Sequence, residues 1–264
     1  MKHRITTICA ALLLAAAASA VAASAPMGGG KPPAAPASAV DPEALAALDR
    51  MGAELRSHQN FDVKSDITTE DVLVSGQKLQ YAGTLETLAR RPNAFRISMV
   101  SDLRDRRIYY DGKAVTLFSP RLGFYASFPA PDTIGKTLAR AKDRYGIELP
   151  LADLFAWGTD KSLAARVRSG FRVAAEHVGS QVCDHYAFRN ERVDWQIWIA
   201  QSGPPLPCKL VITSRDDPSM PQYSAVLHWS FPASIPDSVF AFVPPPAAKK
   251  IVIATIGRME GSRP

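Results

Sequence analysis

The stretch Cys183-Asp184-His185 combines a thiol, a carboxylate and an imidazole, which are the groups of a cysteine nucleophile and its base. Its surroundings alternate apolar and polar residues, which is typical of a β-strand. On a strand, side chains two residues apart point the same way at about 7 Å, beyond hydrogen-bond reach. The spacing therefore favours half-buried strand residues over a catalytic pair.

Other chemistry-bearing patterns are weak. The histidines after the N-terminal stretch show neither H-x-x-x-H nor H-E-x-x-H spacing; they are His58, His177, His185 and His228. Asp216-Asp217 precede Pro218 and indicate a turn rather than a calcium site. The sequence contains no G-x-S-x-G elbow, phosphate loop or dinucleotide fingerprint. We therefore predict a protein that is not an enzyme and uses no metal or cofactor.

The N-terminal residues indicate export. Residues 1–20 have a short basic start, an apolar run and a small-x-small cleavage pattern, which together predict a secretory signal peptide and a periplasmic protein. Residues 21–40 are rich in Ala, Pro and Gly and predict a disordered leader. We expect one domain over residues 41–252 and a flexible tail over 253–264.

The net charge excludes few classes of binding partner. The formal net charge is +6, and removal of Lys2 and Arg4 with the signal peptide leaves +4. Small basic clusters lie at 90–91 and 104–107, and they fit a solvated surface better than an anion-binding patch. No basic stripe is interleaved with aromatic residues, so nucleic acid is not an expected partner.

The periodicity predicts an α+β fold. Asp41 and Pro42 predict the start of a helix that ends near His58, and Asp111-Gly112 predicts a tight hairpin turn. Helical patterns at 132–146, 151–158 and 160–169 interrupt a series of strands that resumes at 171–178, 181–189, 193–200, 207–214 and 222–231. We expect one large, twisted antiparallel β-meander with the N-terminal helix and a central helical insert packed on one face.

The two cysteines after the signal peptide can be placed in this meander. Turns at 190–191 and 202–205 put Cys183 and Cys208 on either side of Trp198, one full strand apart. Their Cα atoms would then lie about 10 Å apart, whereas a disulfide needs less than about 7 Å. We therefore predict that both cysteines are unpaired, although an exported protein normally pairs them.

The same alignment places apolar residues on both faces of the sheet. One face carries Tyr186, Phe188, Trp195, Ile197, Ile199 and Val211; the other carries Cys183, Ala187, Trp198, Cys208, Leu210 and Ile212. An antiparallel sheet with one solvated face would be polar there. One face is expected either to form ordinary core or to line a cavity beneath the helices.

Several blocks resemble the exported bacterial proteins of the domain of unknown function 2092 family. They are YYDGKAVTLFSPRLGFYASFPAPDTI, CDHYAFRNERVDWQIWI, PLPCKLVIT and IPDSVFAFVPPPAAKKI, and the resemblance spans residues 41–252. That family usually has a basic residue at the position of Cys208, which fits unpaired cysteines. It is similar in turn to the LolA/LolB-like periplasmic lipoprotein carriers, which implies an unclosed antiparallel half-barrel with helices over an apolar cavity.

The resemblance implies a carrier for a lipid, a lipoprotein acyl chain or another hydrophobic small molecule, with transient contact to a membrane surface. The predicted wall of the cavity consists of Phe95, Ile97, Tyr109, Leu117, Tyr125, Tyr186, Phe188, Trp195 and Ile197. The predicted lid consists of Leu138, Tyr145, Leu154, Phe155 and Trp157. The alternative is an envelope sensor that binds a protein partner through the open sheet edge or the helical insert.

Overall fold

The computed structural model describes residues 40–147 and 164–255. The elements that lie entirely within these ranges are two α-helices, twelve strands and one short 3-10 helix. In chain order they are α1 Pro42–Ser57, β1 Asn60–Val72, β2 Lys78–Arg90, β3 Ala94–Val100, β4 Asp105–Tyr110, β5 Ala114–Ser119, β6 Phe124–Pro129, α2 Ile134–Tyr145, β7 Ser169–Val178, β8 Gln181–Arg189, β9 Val193–Ala200, β10 Pro207–Ser214, β11 Gln222–Ser230, the 3-10 helix Asp237–Val239 and β12 Lys249–Lys250.

All twelve strands belong to one unclosed sheet with the order β12-β6-β5-β4-β3-β2-β1-β11-β10-β9-β8-β7. Two antiparallel meanders, β1–β6 and β7–β11, are joined where β11 pairs with β1. The short strand β12 pairs in parallel with β6 and departs from the otherwise antiparallel pattern. The predicted α+β architecture, a large half-barrel sheet with helices, is confirmed.

Directions in the sheet follow from β1, which runs from a lower end at Asn60 to an upper end at Val72. Because neighbouring strands alternate in direction, the turns after β1, β3, β5 and β10 all lie at the upper end. We call the face that carries Phe61, Val63 and Leu85 the inner face, because these side chains share a buried cluster with helix α1. The opposite face is the outer face.

Helix α1 covers part of the inner face. Asp41 caps it by accepting a hydrogen bond from the Glu43 amide at 2.9 Å, and Pro42 occupies the first turn, as predicted. Its apolar stripe is buried in the inner-face cluster through Leu48 and Met51. The Asp41 amide donates to the Gly170 carbonyl at 2.8 Å, which ties the start of the helix to β7.

Helix α2 is the described part of the predicted helical insert. Thr133 is its N-cap, and Gly146 ends it with φ 65°, a left-handed conformation that glycine adopts without strain. The Tyr110 hydroxyl donates to the Pro131 carbonyl at 2.5 Å just before the helix, and Tyr145 stacks on Phe128 at 4.1 Å. These contacts fix the helix over the inner face of β4 and β6.

The chain after β11 covers part of the outer face. Asn60 donates to the Ala233 carbonyl, and the Arg90 guanidinium donates to the Ile235 carbonyl and lies 5.1 Å from the centre of the Phe240 ring. Ile235 and Phe240 are buried there against Ala94. The segment then reaches the upper edge of β6 and pairs with it as β12.

The predicted strands from β8 to β11 match the structure to within a residue, and Gly112 turns the predicted hairpin with φ 88°. The predicted helix at 151–158 lies outside the described residues, as do the predicted signal peptide, nearly all of the leader and most of the tail. The predicted helix at 160–169 is described from residue 164 onward, and there it is too long, because only 164–165 are helical and β7 begins at Ser169. No helix within 40–147 and 164–255 is both long and apolar enough to cross a membrane.

The close approach at Gly170 gives a stability prediction. A Cβ at this position would lie 2.5 Å from the Phe188 ring, so Gly170→Ala must displace a buried aromatic side chain. We expect a loss of about 1–3 kcal/mol in the free energy of unfolding, measured by urea denaturation.

Gly135 is the matched control, because it lies in α2 and a Cβ there meets nothing within 4 Å. Gly135→Ala should leave stability unchanged or raise it by roughly 0.5–1 kcal/mol. Equal effects of the two substitutions would show that the packing of Phe188 over β7 is wrong.

Candidate functional site

The inner face is a continuous apolar surface built by cross-strand pairs. Ile97 pairs with Ile108, which pairs with Leu117, and Tyr186 pairs with Ile197. Since directly paired residues share a face of the sheet, these pairs carry the apolar surface across both meanders. The surface is the largest hydrophobic cluster of the described chain.

Most of the predicted wall lies on this face. Seven members belong to the inner cluster or pack against it: Phe95, Ile97, Leu117, Tyr186, Phe188, Trp195 and Ile197. Two predicted lid residues, Leu138 and Tyr145, pack against the same cluster from α2 and its end. The other three, Leu154, Phe155 and Trp157, lie outside the described residues.

Tyr109 and Tyr125 do not belong to the wall. Both lie on the outer face, where their rings are 5.3 and 5.1 Å from Phe242 of the C-terminal segment. The error is one of strand parity, because in Tyr109-Tyr110 it is Tyr110 that points inward and is fully buried. On β6, two strands away, Tyr125 is likewise one residue out of phase with the inward Ala126, which pairs with Leu117 of β5.

The inner face is less well covered towards its upper end. Near the lower end, Phe61, Phe95 and Phe128 are almost fully buried. Towards the upper end the apolar side chains are only half-buried, namely Tyr81, Met99, Leu117, Trp195, Ile212 and Tyr223. A shallow pocket of about 240 Å³ opens there and is lined by residues that include Val193, Ile212 and Tyr223.

Two hydroxyls on the inner face have no hydrogen-bond partner in the structure. The Ser65 Oγ lies in the middle of β1 with the residue 2% exposed, and the Tyr223 hydroxyl lies at the upper end. Burial raises the pKa of the Tyr223 phenol, so the hydroxyl stays protonated. Both groups are hydrogen-bond donors, and Tyr223 lines the pocket, whereas Ser65 is buried and is not part of the pocket lining.

His185 belongs to a structural cluster on the outer face. Its ring stacks on Trp198 at 3.9 Å, and its two nitrogens lie 3.1 Å from Glu176 and 3.0 Å from Gln196. The Trp198 indole donates to Glu176 at 2.9 Å, and this bond together with the His185 contact holds the pKa of the Glu176 carboxyl below its usual range. No group of three or more potential metal-ligating His, Cys, Asp or Glu residues occurs in the described part of the chain.

The prediction of unpaired cysteines is wrong, because Cys183 and Cys208 form a disulfide. Cys183 pairs with Ala200, the last residue of β9, and β10 has a bulge between Pro207 and Lys209. The bulge brings the Cα atoms to 7.0 Å, across the short alanine side chain at the strand end. The Cys183 sulfur is therefore not available as a nucleophile.

The predicted faces of β10 are also wrong, and the same bulge is the cause. Leu210 pairs with Ile197 and Ile212 pairs with Trp195, so both point inward. Val211 lies with the cysteines and Trp198 in a separate outer cluster. A single extra residue in a strand exchanges the two faces of everything beyond it, and sequence alternation alone does not locate that residue.

Comparison with known proteins identifies the relatives of this chain. The model of the family described as "Predicted periplasmic protein (DUF2092)" matches residues 44–254. No curated protein matches the chain.

Several solved structures are similar in outline. Lipoprotein LppX of Mycobacterium tuberculosis is 13% identical, with a TM-score of 0.47, over 74% of this chain and 100% of that chain. LprF of Mycobacterium bovis is 12% identical, with a TM-score of 0.38, over 75% and 97%. A LolA superfamily protein of Nitrosomonas europaea is 11% identical, with a TM-score of 0.36, over 75% and 97%.

The disulfide gives a second stability prediction. It closes a loop with a sequence separation of 25, and its removal by Cys183→Ser with Cys208→Ser should cost about 3 kcal/mol of unfolding free energy. Reduction of the unsubstituted protein should cost the same amount in urea denaturation and leave the double variant unaffected. Titration of two free thiols in the denatured but unreduced protein without residues 1–20 would contradict the assignment.

Proposed function

The chain belongs to the DUF2092 family of periplasmic proteins, and from this premise we propose that it is a non-enzymatic carrier for a hydrophobic molecule. The ligand lies against the inner face of the sheet, between the strands and the helices. A lipid or a lipoprotein acyl chain is the ligand class that this surface fits best. No covalent chemistry is required of the protein.

The observation that carries the proposal is the incomplete cover of the inner face at its upper end. Trp195, Ile212 and Tyr223 are adjacent apolar side chains on β9, β10 and β11, yet all three are only half-buried. Burial of such a surface lowers the free energy of the protein in water. An acyl chain bound there would contribute about 0.8 kcal/mol of binding free energy for each buried methylene group.

The polar atoms of the inner face suit a ligand that has a carbonyl or ester group. Ser65 and Tyr223 each present a hydroxyl without a partner, and a buried hydroxyl without a hydrogen bond costs roughly 1–3 kcal/mol. An oxygen of a ligand bound at the upper end would relieve this cost at Tyr223, which lines the pocket there. The acyl ester of a lipid supplies such an oxygen beside a long apolar chain.

Binding of a protein partner is the second candidate. In the described ranges, β7 pairs along its length with β8 only, and its other side bonds with the chain just before α1 at Gly170. An edge strand of this kind can accept an added strand from another chain. Purification of the protein with one stoichiometric protein and an empty inner face would favour this function over the carrier.

A charge on the inner face should abolish ligand uptake. Trp195→Glu and, on the neighbouring strand, Ile212→Glu each place a carboxylate against the proposed acyl chain. We expect binding of a fluorescent fatty acid to weaken by at least about tenfold for each variant, measured by fluorescence titration of delipidated protein.

Gln196→Glu is the matched control, since it adds the same charge one residue away on the outer face. Its carboxylate can still accept the hydrogen bond that Gln196 Oε1 shares with His185 at 3.0 Å. Circular dichroism establishes that each variant is folded. Unchanged affinity in both folded inner-face variants would exclude this face as the binding surface.

A further inference from the structure

The three upper hairpin turns of the first meander expose apolar side chains to solvent. These turns, residues 73–77, 101–104 and 120–123, are called the hairpin rim. Val74 is fully exposed, Leu122 is 69% exposed, and Leu103 is 60% exposed. Exposed large apolar residues at the tips of successive hairpins are unfavourable in water and mark a contact surface.

We infer that the hairpin rim docks the protein onto an anionic lipid bilayer, with its apolar tips in the interfacial region and its arginines at the phosphate groups. This inference goes beyond the proposed carrier function, because it assigns a separate surface to a separate partner. The two surfaces are connected because both lie at the upper end of the sheet. The half-buried part of the inner face opens beside the hairpin rim.

Hydrogen bonds connect the three turns into one surface. Arg104 in the second turn donates to Asp71, at the base of the first turn, at 2.7 Å. Arg121 in the third turn donates to the Asp102 carbonyl in the second. Each bond ties the second turn to one of the other two, so the three turns form one connected surface.

The first hairpin extends well beyond the end of β3. The pairing of β2 with β3 ends at Thr84, and β2 continues to Lys78 without β3 beside it. At about 3.3 Å per residue this extension amounts to roughly 20 Å. It ends in Leu73-Val74, so the most exposed apolar pair of the rim lies at the most distant point of the hairpin.

The hairpin rim contains two arginines and one carboxylate, Asp102, so it has a small net positive charge that complements an anionic membrane, and Arg104 is also paired with Asp71 at 2.7 Å. Arg104 and Arg121 are each adjacent in sequence to an exposed leucine, at 103 and 122. Lys249 pairs with Phe124 directly below the third turn, which adds a cation at the same edge. Alternation of single apolar side chains with cations suits the lipid interface, where apolar side chains enter and cations remain at the head groups.

Vesicle co-sedimentation of the delipidated protein tests the inference. One set of vesicles contains phosphatidylglycerol and phosphatidylethanolamine, and the other contains phosphatidylcholine alone. We expect binding to the anionic vesicles only. The triple variant Val74→Ser, Leu103→Ser, Leu122→Ser should weaken it by about tenfold, because it removes the apolar tips without changing the charge.

A charge-matched pair separates local contact from the overall field. Arg121→Glu lies in the rim, whereas Lys113→Glu lies in the lower turn between β4 and β5, and each changes the net charge by the same amount. Arg121→Glu should lose roughly fivefold or more in vesicle binding, and Lys113→Glu should lose little.

Two results would overturn the inference. The first is an equal loss of vesicle binding in Arg121→Glu and Lys113→Glu, together with unchanged vesicle binding by the triple variant. The second is failure of the unsubstituted protein to bind either kind of vesicle. Uptake of the fluorescent fatty acid is measured on the same samples, so a protein that takes up the ligand but does not bind vesicles would overturn only the docking surface.

Discussion

A single sheet that is apolar on both faces must be covered on both, because each exposed apolar area costs free energy in water. In this protein the two covers are of different kinds. The outer face is covered by the chain itself. The inner face is covered by helices that leave its upper part half-buried, and the proposed ligand binds where this cover is incomplete.

The outer cover has two parts, one for each meander. Across the first meander, the segment that leaves β11 packs Ile235 and Phe240 against Ala94 and is held by Arg90. Across the second, the disulfide and Trp198 form a small apolar cluster, with Lys209 placed 4.6 Å from the indole ring centre. Both covers are held by covalent or hydrogen-bonded contacts within the chain. The apolar side chains of these two outer clusters are therefore buried without a ligand.

The strength of local sequence patterns decides how much of this architecture can be predicted. Asp41-Pro42, Asp111-Gly112 and Gly146 mark helix and turn boundaries through backbone conformations that few residues favour, and each boundary is found where predicted. Register is different, because it depends on the exact length of a turn and on bulges. The bulge at Cys208 is not marked by a residue with a strong conformational preference. The disulfide and the faces of β10 could therefore not be derived from sequence alternation.

The residues of the candidate site also differ in how well the sequence predicts their positions. Phe188, Trp195 and Ile197 follow a clear alternation between well-defined turns, and they lie on the predicted face. Tyr109 and Tyr110 are adjacent aromatic residues, so their composition does not show which of them points inward. The hairpin rim was not predicted either, because exposure of an apolar residue in a turn depends on which neighbouring turns lie beside it.

Native mass spectrometry of the protein purified from a periplasm without detergent tests the central claim most directly. The account predicts a mass excess that is removed by solvent extraction and that contains lipid or another hydrophobic molecule. A bare protein mass, unchanged after incubation of the delipidated protein with lipids extracted from bacterial envelopes, would contradict it.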